Sequence, residues 1–338
     1  MRAAVSIAIF VLGLTAGASA LRVVALRAPI SVSGPLEHLK VYGQRYDVIV
    51  IGSSLVRVNF VPKVFDLTMK DNGFPVHSFS FAMSGLNGSE LDYYLERLLR
   101  LDLPRLKWIL LDVTLSQTPR LKEKNYYKRR VIHWHDFDRF LQVQRALFRI
   151  ERKPRRLAER WRVHFQHLLL NLGNVGEGQQ VLRTSRWLGL QPRPMKEYRF
   201  NQRLKDTKKR SLKAAAYRRK SKRSHERARV KLLRDRNSGN NANRYLPLVG
   251  RWQRMVSARA YTPFFIIGPS LRNVTFRTDN TSDEPIQVLD LNKPAEYPQL
   301  FTVEGRYDPN HMNYEASVSY TESLAKLLAI RVNEGNRR

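Results

Sequence analysis

Three residues in two short segments have the types and spacing that nucleophilic acyl transfer requires. Ser54 follows the apolar run at 46–51 in a Gly-Ser-Ser turn, and Asp308 stands three residues before His311 near the end of the chain. A serine hydroxyl becomes a useful nucleophile when an imidazole takes its proton, and a carboxylate holds that imidazole in the required tautomer. The combination predicts a serine esterase or acyltransferase, although each segment alone also fits an ordinary helix cap.

The segments around these residues alternate between strand and helix patterns. Apolar runs predict strands at 46–51, 76–82, 108–113, 263–269 and 286–291. Helical spacing occurs between them, with a break at Pro62, and again in the closing segment 314–332. Such alternation predicts an α/β fold with a parallel sheet covered by helices on both faces. Ligands gather at the carboxyl ends of such strands, which is where Ser54 is expected.

The positive charge of the chain is concentrated in its middle. The 338 residues carry a formal net charge of +31, and residues 120–259 hold 40 Lys and Arg against 10 Asp and Glu. Residues 120–250 are predicted to form a basic helical insertion between the third and fourth strands. One long helical segment is expected at 137–172, broken at Pro154, and a second at 204–236. A charge of this size favours an anionic polymer or a phospholipid surface as partner. A solvated surface is the alternative.

The N-terminus has the pattern of an export signal. Arg2 precedes an uncharged apolar stretch at 3–21, and Ala18-Ser19-Ala20 is typical of a cleavage site. Residues 1–20 are therefore predicted to be a signal peptide or a retained membrane anchor. The rest of the chain is expected outside the cytoplasm, in the periplasm, free or anchored to the inner membrane. Nucleic acid is accordingly not expected as a partner.

Other residues give only weak metal-binding patterns. One pattern combines two histidines with two carboxylates: His133, His135, Asp136 and Asp138. No third histidine has convincing spacing, so a helix start or an aromatic packing patch is the preferred interpretation. His164 and His167 lie one helical turn apart and are expected on an amphipathic face. The chain has no cysteine, which excludes thiolate sites and disulfides, and neither a metal nor a cofactor is predicted.

Three motifs together resemble the SGNH (GDSL-like) hydrolase superfamily. They are Gly52-Ser53-Ser54-Leu55, the block 72–99 and Asp308-x-x-His311 followed by Asn313. Within the superfamily, the chain looks closer to the membrane-anchored periplasmic branch that accompanies polysaccharide O-acetylation and D-alanyl transfer systems. The resemblance covers roughly residues 45–115 and 260–330 and leaves the basic insertion unaccounted for.

The resemblance implies a fold, a mechanism and partners. The fold is a three-layer, flavodoxin-like parallel sheet, formed here by residues 40–118 and 255–332. Ser54 would be the nucleophile, His311 the base and Asp308 the group that orients it. The backbone N–H of Gly85 would join that of Ser54 in the oxyanion hole. The substrate would be an acyl ester, foremost of an acetylated polysaccharide, and the partner a membrane-bound acyltransferase.

One position departs from the family pattern. The third block of the family supplies an asparagine side chain to the oxyanion hole, whereas the strand here ends with Asp112. A charged aspartate opposes the developing oxyanion, and loss of one donor typically costs on the order of 100-fold or more in rate. Asn87 is a candidate stand-in. The alternatives are a non-catalytic scaffold with the SGNH fold and a polyanion-binding protein with a structural α/β core.

Overall fold

The computed structural model describes residues 34–113, 129–173, 208–237, 243–245, 247–272, 275–277 and 285–336, together with Gly13 and Gly17. These residues fall into two units. The smaller lies within Met1–His38 and Thr118–Glu197, and the larger within Leu39–Gln117 and Tyr198–Arg338. Apart from the two glycines, the predicted signal or anchor at residues 1–20 lies outside the described residues. None of the described helices combines the length and apolarity that a bilayer crossing requires.

The strands and helices follow one another along the chain with short connections in the described parts. The strands are β1 (Val48–Gly52), β2 (Ser78–Ala82), β3 (Trp108–Asp112), β4 (Asn243–Tyr245), β5 (Thr262–Ile267), β6 (Thr275–Arg277) and β7 (Val288–Asp290). The helices are α1 (Gly34–Tyr42), α2 (Ser54–Asn59), α3 (Pro62–Asp71), α4 (Gly88–Leu98), α5 (Arg129–His133), α6 (Phe137–Ile150), α7 (Pro154–Leu172), α8 (Lys208–Asn237), α9 (Pro247–Ser257) and α10 (Tyr314–Asn336).

Five strands form one sheet in which every pairing is parallel. The order is β2-β1-β3-β5-β7, so the five strands taken in chain order lie in the sequence 2-1-3-4-5. Parallel neighbours require crossover connections, and helices lie in the connections from β1 to β2, from β2 to β3 and from β3 to β5. The predicted α/β class with a parallel sheet is therefore confirmed. Strands β4 and β6 form a separate parallel pair.

The sheet is covered by helices on both faces. Successive side chains of a strand point to opposite faces, so a buried strand needs apolar partners on each side. On one face, Val50 belongs to the same core cluster as Phe65 of α3 and Leu324 of α10. On the other, the ring of Phe81 lies 5.9 Å from that of Tyr94 on α4. Helix α9 contacts both α4 and β5.

Two prolines set the helix boundaries that the sequence predicts. Pro62 occupies the first turn of α3, and Pro154 that of α7, where the missing N–H breaks no intrahelical bond. The segment expected to be helical at 137–172 accordingly forms two helices, α6 and α7. Helix α8 matches the second long helical prediction, at 204–236.

The basic segment contributes to both units. Helices α5, α6 and α7 belong to the smaller unit, whereas α8 belongs to the larger unit with the sheet. Leu232 of α8 is buried in the core cluster of the sheet and α10. Arg236 Nη1 of α8 lies 3.1 Å from Asp290 Oδ2 at the end of β7. One basic helix is therefore built into the α/β unit itself.

Candidate active site

Strand β1 delivers the serine turn to the carboxyl edge of the sheet. All five residues of β1 are buried, and Ser54 begins helix α2 directly after the turn. The side chain of Ser53 caps α2 by accepting the N–H of Leu55 at 3.3 Å. Ser53 is buried where it caps the helix, whereas Ser54 is partly exposed. The two adjacent serines therefore have different tasks, and Ser54 is the one available to a substrate.

Gly52 is required by the close packing at this turn. A Cβ at this position would lie 2.3 Å from Cγ2 of Val56 and 2.8 Å from Cβ of Asp112. Real side-chain contacts of this length do not occur, because both neighbours are well inside van der Waals contact. Glycine thus lets α2 leave the strand at once and sets the position of Ser54.

Asp308 and His311 lie on a tight loop before α10. The loop is closed by an antiparallel bridge between Arg306 and Met312. Oδ1 of Asp308 accepts the backbone N–H of Asn310 at 2.8 Å and that of His311 at 3.0 Å. These bonds hold the carboxylate against the chain that follows it, an arrangement that short polar side chains favour in turns.

The structure brings the three predicted residues into one hydrogen-bonded relay. His311 Nδ1 lies 2.8 and 2.9 Å from the two carboxylate oxygens of Asp308, and its Nε2 lies 2.9 Å from Oγ of Ser54. A carboxylate only accepts hydrogen bonds, so Nδ1 carries the proton and Nε2 presents its lone pair to the serine hydroxyl. This is the tautomer in which His311 can act as a base toward Ser54.

The electrostatics of Asp308 favour the charged form. Partial burial raises the pKa of Asp308, but hydrogen bonds from the His311 ring and the N–H of Asn310 outweigh it. The pKa of Asp308 therefore lies below the ordinary aspartate value, and the carboxylate is ionised at neutral pH. An ionised carboxylate stabilises the imidazolium that forms when His311 takes a proton.

A buried arginine, Arg306, holds the loop in place. Arg306 is fully buried, and its guanidinium donates to the carbonyls of Leu300 at 3.1 Å, Pro309 at 3.4 Å and Pro269 at 3.5 Å. Burial lowers the pKa of Arg306 to about 10, which leaves it charged at neutral pH. The contacts with Pro269 and Leu300 tie the loop to two other segments, the contact with Pro309 lies within the loop, and this role of Arg306 was not predicted.

Helix α8 packs against the same region. His225 Nε2 lies 2.8 Å from the carbonyl oxygen of Phe301, and Nδ1 lies 3.1 Å from the hydroxyl of Tyr217. Ala214 of α8 clusters with Tyr307, whose ring stacks on that of His311 at 5.6 Å between centroids. The basic helix thus supports the loop that carries Asp308 and His311.

The sequence of α8 contains a pattern that could predict this packing, but its many Lys and Arg residues obscure the pattern. A narrow stripe of small, apolar and neutral residues recurs along α8 at intervals of three and four: Ala214, Tyr217, Ser221, His225, Ala228 and Leu232. Fourteen Lys and Arg on the same 30-residue helix dominate its composition and favour the interpretation as a solvated basic segment.

The expected oxyanion residues lie in the loop between β2 and α4. Gly85 is exposed with φ of +78°, a left-handed conformation that favours glycine. The N–H of Met83 donates to the carbonyl of Gly52 at 3.0 Å, and Arg57 of α2 donates to the Ser84 hydroxyl at 3.0 Å. Because β1 and β2 are neighbours, these contacts hold the loop beside the serine turn.

Asn87 has a structural task that the sequence did not predict. Its Oδ1 accepts the N–H of Glu90 at 2.9 Å and so caps helix α4. Asp112 is buried at the end of β3 beside Gly52. Burial first, and then the charge of Asp112, raises the pKa of Tyr320 on α10. Asp112 therefore lies near both Gly52 of β1 and Tyr320 of α10.

Comparisons with family models, curated proteins and solved structures give no match to this chain. The chemical interpretation consequently depends on the geometry of the site. Three side chains from α2 and from the loop before α10 form a relay that can activate a serine hydroxyl. The fold brings together Ser54 and His311, which are 257 residues apart in the chain.

Proposed function

We propose that this protein is a serine-dependent ester hydrolase or acyltransferase in which Ser54, His311 and Asp308 carry the chemistry. The observation that supports this most strongly is the continuous relay from Asp308 through His311 to the Oγ of Ser54, with distances of 2.8–2.9 Å. Ser54 is partly exposed at the carboxyl edge of a parallel sheet, which is where such folds bind ligands.

The mechanism follows from the relay. Ser54 Oγ attacks the acyl carbonyl carbon while its proton passes to Nε2 of His311, and Asp308 holds the ring and stabilises its charge. The N–H groups of Ser54 and Gly85 are the proposed donors to the oxyanion. The carbon–oxygen bond to the leaving alcohol breaks as His311 returns the proton to that alcohol. Water or a sugar hydroxyl then attacks the acyl-enzyme, with His311 again as base, and releases Ser54.

We further propose that the α/β unit is an SGNH-like hydrolase. The supporting observations are the Gly52-Ser53-Ser54-Leu55 turn after β1, the Asp308-x-x-His311 loop and the strand order 2-1-3-4-5, which is the flavodoxin-like order. Asp112 stands at the third-block position. The resemblance to the periplasmic branch adds two further proposals, an exported location and a membrane-bound acyltransferase that supplies the acyl group.

The charge of α8 supports an anionic substrate, and we propose an acyl ester, foremost acetyl, on an acidic envelope or secreted polysaccharide. Exposed cations line a surface depression along this helix, including Arg223, Arg227 and Lys231. The same helix packs against Tyr307 of the Asp308 loop through Ala214 and bonds to the carbonyl of Phe301 through His225, so we propose that a polymer bound along α8 is guided toward that loop. Concentrated positive charge raises the local concentration of an anionic chain.

A second candidate is a non-catalytic scaffold with the same fold, and the observation that favours it is Asp112. The discriminating variant is Asp112→Asn, which removes the charge and keeps the side-chain volume. If this charge suppresses turnover, Asp112→Asn increases kcat for a small acetyl ester. If the protein is a scaffold for another reason, both forms lack turnover.

The proposed activity is tested by acetate release from an O-acetylated acidic polysaccharide and from a chromogenic acetate ester, with the full chain. We expect Ser54→Ala to reduce both rates to background. Ser53→Ala is the matched control, because it removes the neighbouring hydroxyl and costs only about 0.5–2 kcal/mol of stability through the lost cap. If the Ser54→Ala variant turned over either substrate at the wild-type rate, the proposal would be overturned.

The substrate class is tested separately by combining Arg223→Gln, Arg227→Gln and Lys231→Gln. We expect this triple variant to raise KM for the acidic polymer and weaken its salt dependence, while kcat for the small ester stays unchanged. Lys70→Gln on α3 is a control, because it removes an exposed cation from another helix. Equal KM values for the polymer in the triple variant and wild type would contradict a role for α8 in binding.

A further inference from the structure

Three histidines of the smaller unit meet in its interior. His135 follows helix α5, and His164 and His167 lie one turn apart on α7. All three are buried, with exposed fractions of 0, 2 and 2%. One ring nitrogen from each can be chosen so that the three lie within 4.8 Å of one another. Imidazole nitrogens are the commonest protein ligands for transition metals, so this convergence has a chemical meaning.

Hydrogen bonding defines the state of one of these rings. Nδ1 of His135 lies 2.6 Å from the carbonyl oxygen of Val131. A carbonyl oxygen only accepts, so this nitrogen carries the proton and Nε2 keeps its lone pair. That lone pair faces the other rings, since Nε2 lies 2.8 Å from Nδ1 of His164. A metal-binding histidine characteristically donates its second N–H to a carbonyl or carboxylate in this way.

The spacing of the nitrogens suits a small metal ion. Zinc binds imidazole at about 2.0–2.1 Å in tetrahedral geometry, which sets neighbouring ligand nitrogens roughly 3.4 Å apart. The nitrogens of His135 and His164 are 2.8 Å apart, and the whole set lies within 4.8 Å. A tetrahedral ion therefore requires shifts of only about 1 Å in side-chain positions.

The surroundings hold the rings in place. Trp134 is fully buried and lies over His135, with 3.8 Å between ring centroids and an interplanar angle of 31°. Asn171 of α7 donates through Nδ2 to the carbonyls of Ile132 at 3.1 Å and His133 at 2.8 Å. These contacts fix the turn after α5 against the helix that carries the other two histidines. Rigid support of this kind is what a metal site needs.

We propose that His135, His164 and His167 form a binding site for a divalent transition metal, with Zn²⁺ as the leading candidate. Three neutral ligands leave a fourth tetrahedral position, which a water, a hydroxide or another anion would take. The bound ion would fasten the turn after α5 to helix α7.

The sequence pattern around His135 points to different ligands from those that the fold assembles. His133 and the nearby carboxylates do not belong to the three-histidine group found among the described residues. Oδ1 of Asp136 instead accepts the N–H of Arg139 at 2.9 Å and caps α6. The true set needs residues 29 and 32 positions farther along the chain, which only the fold brings together.

The site is tested by titrating the metal-stripped full chain with Zn²⁺ and, separately, with Co²⁺. We expect one equivalent of Zn²⁺ to bind, raise the thermal unfolding temperature and displace Co²⁺. Bound Co²⁺ should show the intense visible bands of tetrahedral nitrogen coordination. These readouts on the wild-type protein do not depend on the folding of any variant or on catalytic activity.

Variants identify the ligands. We expect His135→Gln, His164→Gln and His167→Gln each to lower Zn²⁺ affinity by more than the roughly 10–100-fold that loss of an outer-shell contact costs. His133→Gln and His225→Gln are matched controls, since each removes a histidine outside the group, and both should bind like wild type. Circular dichroism checks the fold of each variant. A wild-type protein that takes up neither metal, or cluster variants that bind as tightly as wild type, would overturn the proposal.

Discussion

At the scale of single residues, the site depends on the tautomer of His311. Asp308 accepts from Nδ1, so Nε2 can accept the proton of Ser54. Two backbone N–H groups also bond to Oδ1 of Asp308 and keep its carboxylate in place and ionised. The chemistry of Ser54 therefore depends on a carboxylate that does not itself contact the substrate.

We expect Asp308→Asn to lower kcat by about 10³–10⁴-fold, because an amide that donates to Nδ1 favours the tautomer with its proton on Nε2. That tautomer cannot accept from Ser54. Steady-state hydrolysis of an acetate ester measures the effect. Asp71→Asn is the control, since Asp71 is exposed at the end of α3. Equal kcat values for Asp308→Asn and wild type would exclude the proposed role of Asp308.

At the scale of elements, the positions of β1 and α2 depend on the absence of a side chain at Gly52. We expect Gly52→Ala to destabilise the protein by about 1–3 kcal/mol, as overpacking of a core does. Gly335→Ala is the control, because a Cβ there meets nothing within 4 Å. Urea unfolding of both variants gives the comparison. A Gly52→Ala protein as stable as Gly335→Ala would show that α2 can move away without penalty.

Helix α8 is the second element that supports the site. Its residue His225 bonds to the carbonyl of Phe301, near the loop that carries Asp308 and His311. We expect His225→Ala to lower kcat about 10–100-fold, with little change in KM for a small ester, since a slightly misplaced base is costly. His225→Gln should restore much of the rate, because its amide can still donate to the Phe301 carbonyl. Lys222→Ala, an exposed change on the same helix, is the control. A purely structural role for His225 would lower stability and leave kcat unchanged.

At the scale of the whole molecule, one carboxyl links stability to pH. Burial raises the pKa of Asp66 on α3 from 3.8 to about 6, despite hydrogen bonds from Ser78. A raised carboxyl pKa means that the folded state prefers the protonated form. The contribution of Asp66 to the free energy of unfolding is fully present below pH 3.8 and is lost as pH rises through about 6.

We therefore expect wild-type protein to lose up to about 3 kcal/mol of unfolding free energy between pH 4 and 7 relative to Asp66→Asn. The asparagine keeps an acceptor for the N–H of Ser78, which bonds to Oδ1 of Asp66 at 2.9 Å. Urea unfolding of both proteins at several pH values isolates this carboxyl, because the other titrating groups are shared. Parallel stability curves would contradict a raised pKa.

The parts of the molecule that the sequence predicted are those encoded locally. Apolar runs were enough for the parallel sheet, and two prolines marked the starts of α3 and α7. Ser54, Asp308 and His311 could be identified because each lies in a short segment with its own local geometry. The residues that support them could not, since Arg306 and His225 contact the carbonyls of Pro269 and Phe301, which are distant in sequence.

Long-range convergence explains the remaining differences. The three-histidine cluster joins a turn after α5 to α7, and no spacing rule for a single segment reveals it. Asn87 is still the predicted second donor to the oxyanion, and the structure adds a further task, because its side-chain oxygen caps α4, as the Asn-x-x-Glu spacing could have suggested. The basic segment was predicted as one insertion, yet α8 belongs to the unit that contains the sheet.

The claim that Ser54 is an activated nucleophile is tested most directly by a fluorophosphonate probe, with the modified residue located by mass spectrometry. We expect one phosphonyl group on Ser54 of the folded wild-type protein and an unmodified Ser53. His311→Ala should lose the labelling, because the hydroxyl then has no base. Folded wild-type protein that stays unlabelled, or that is labelled equally without His311, would contradict a serine-dependent mechanism.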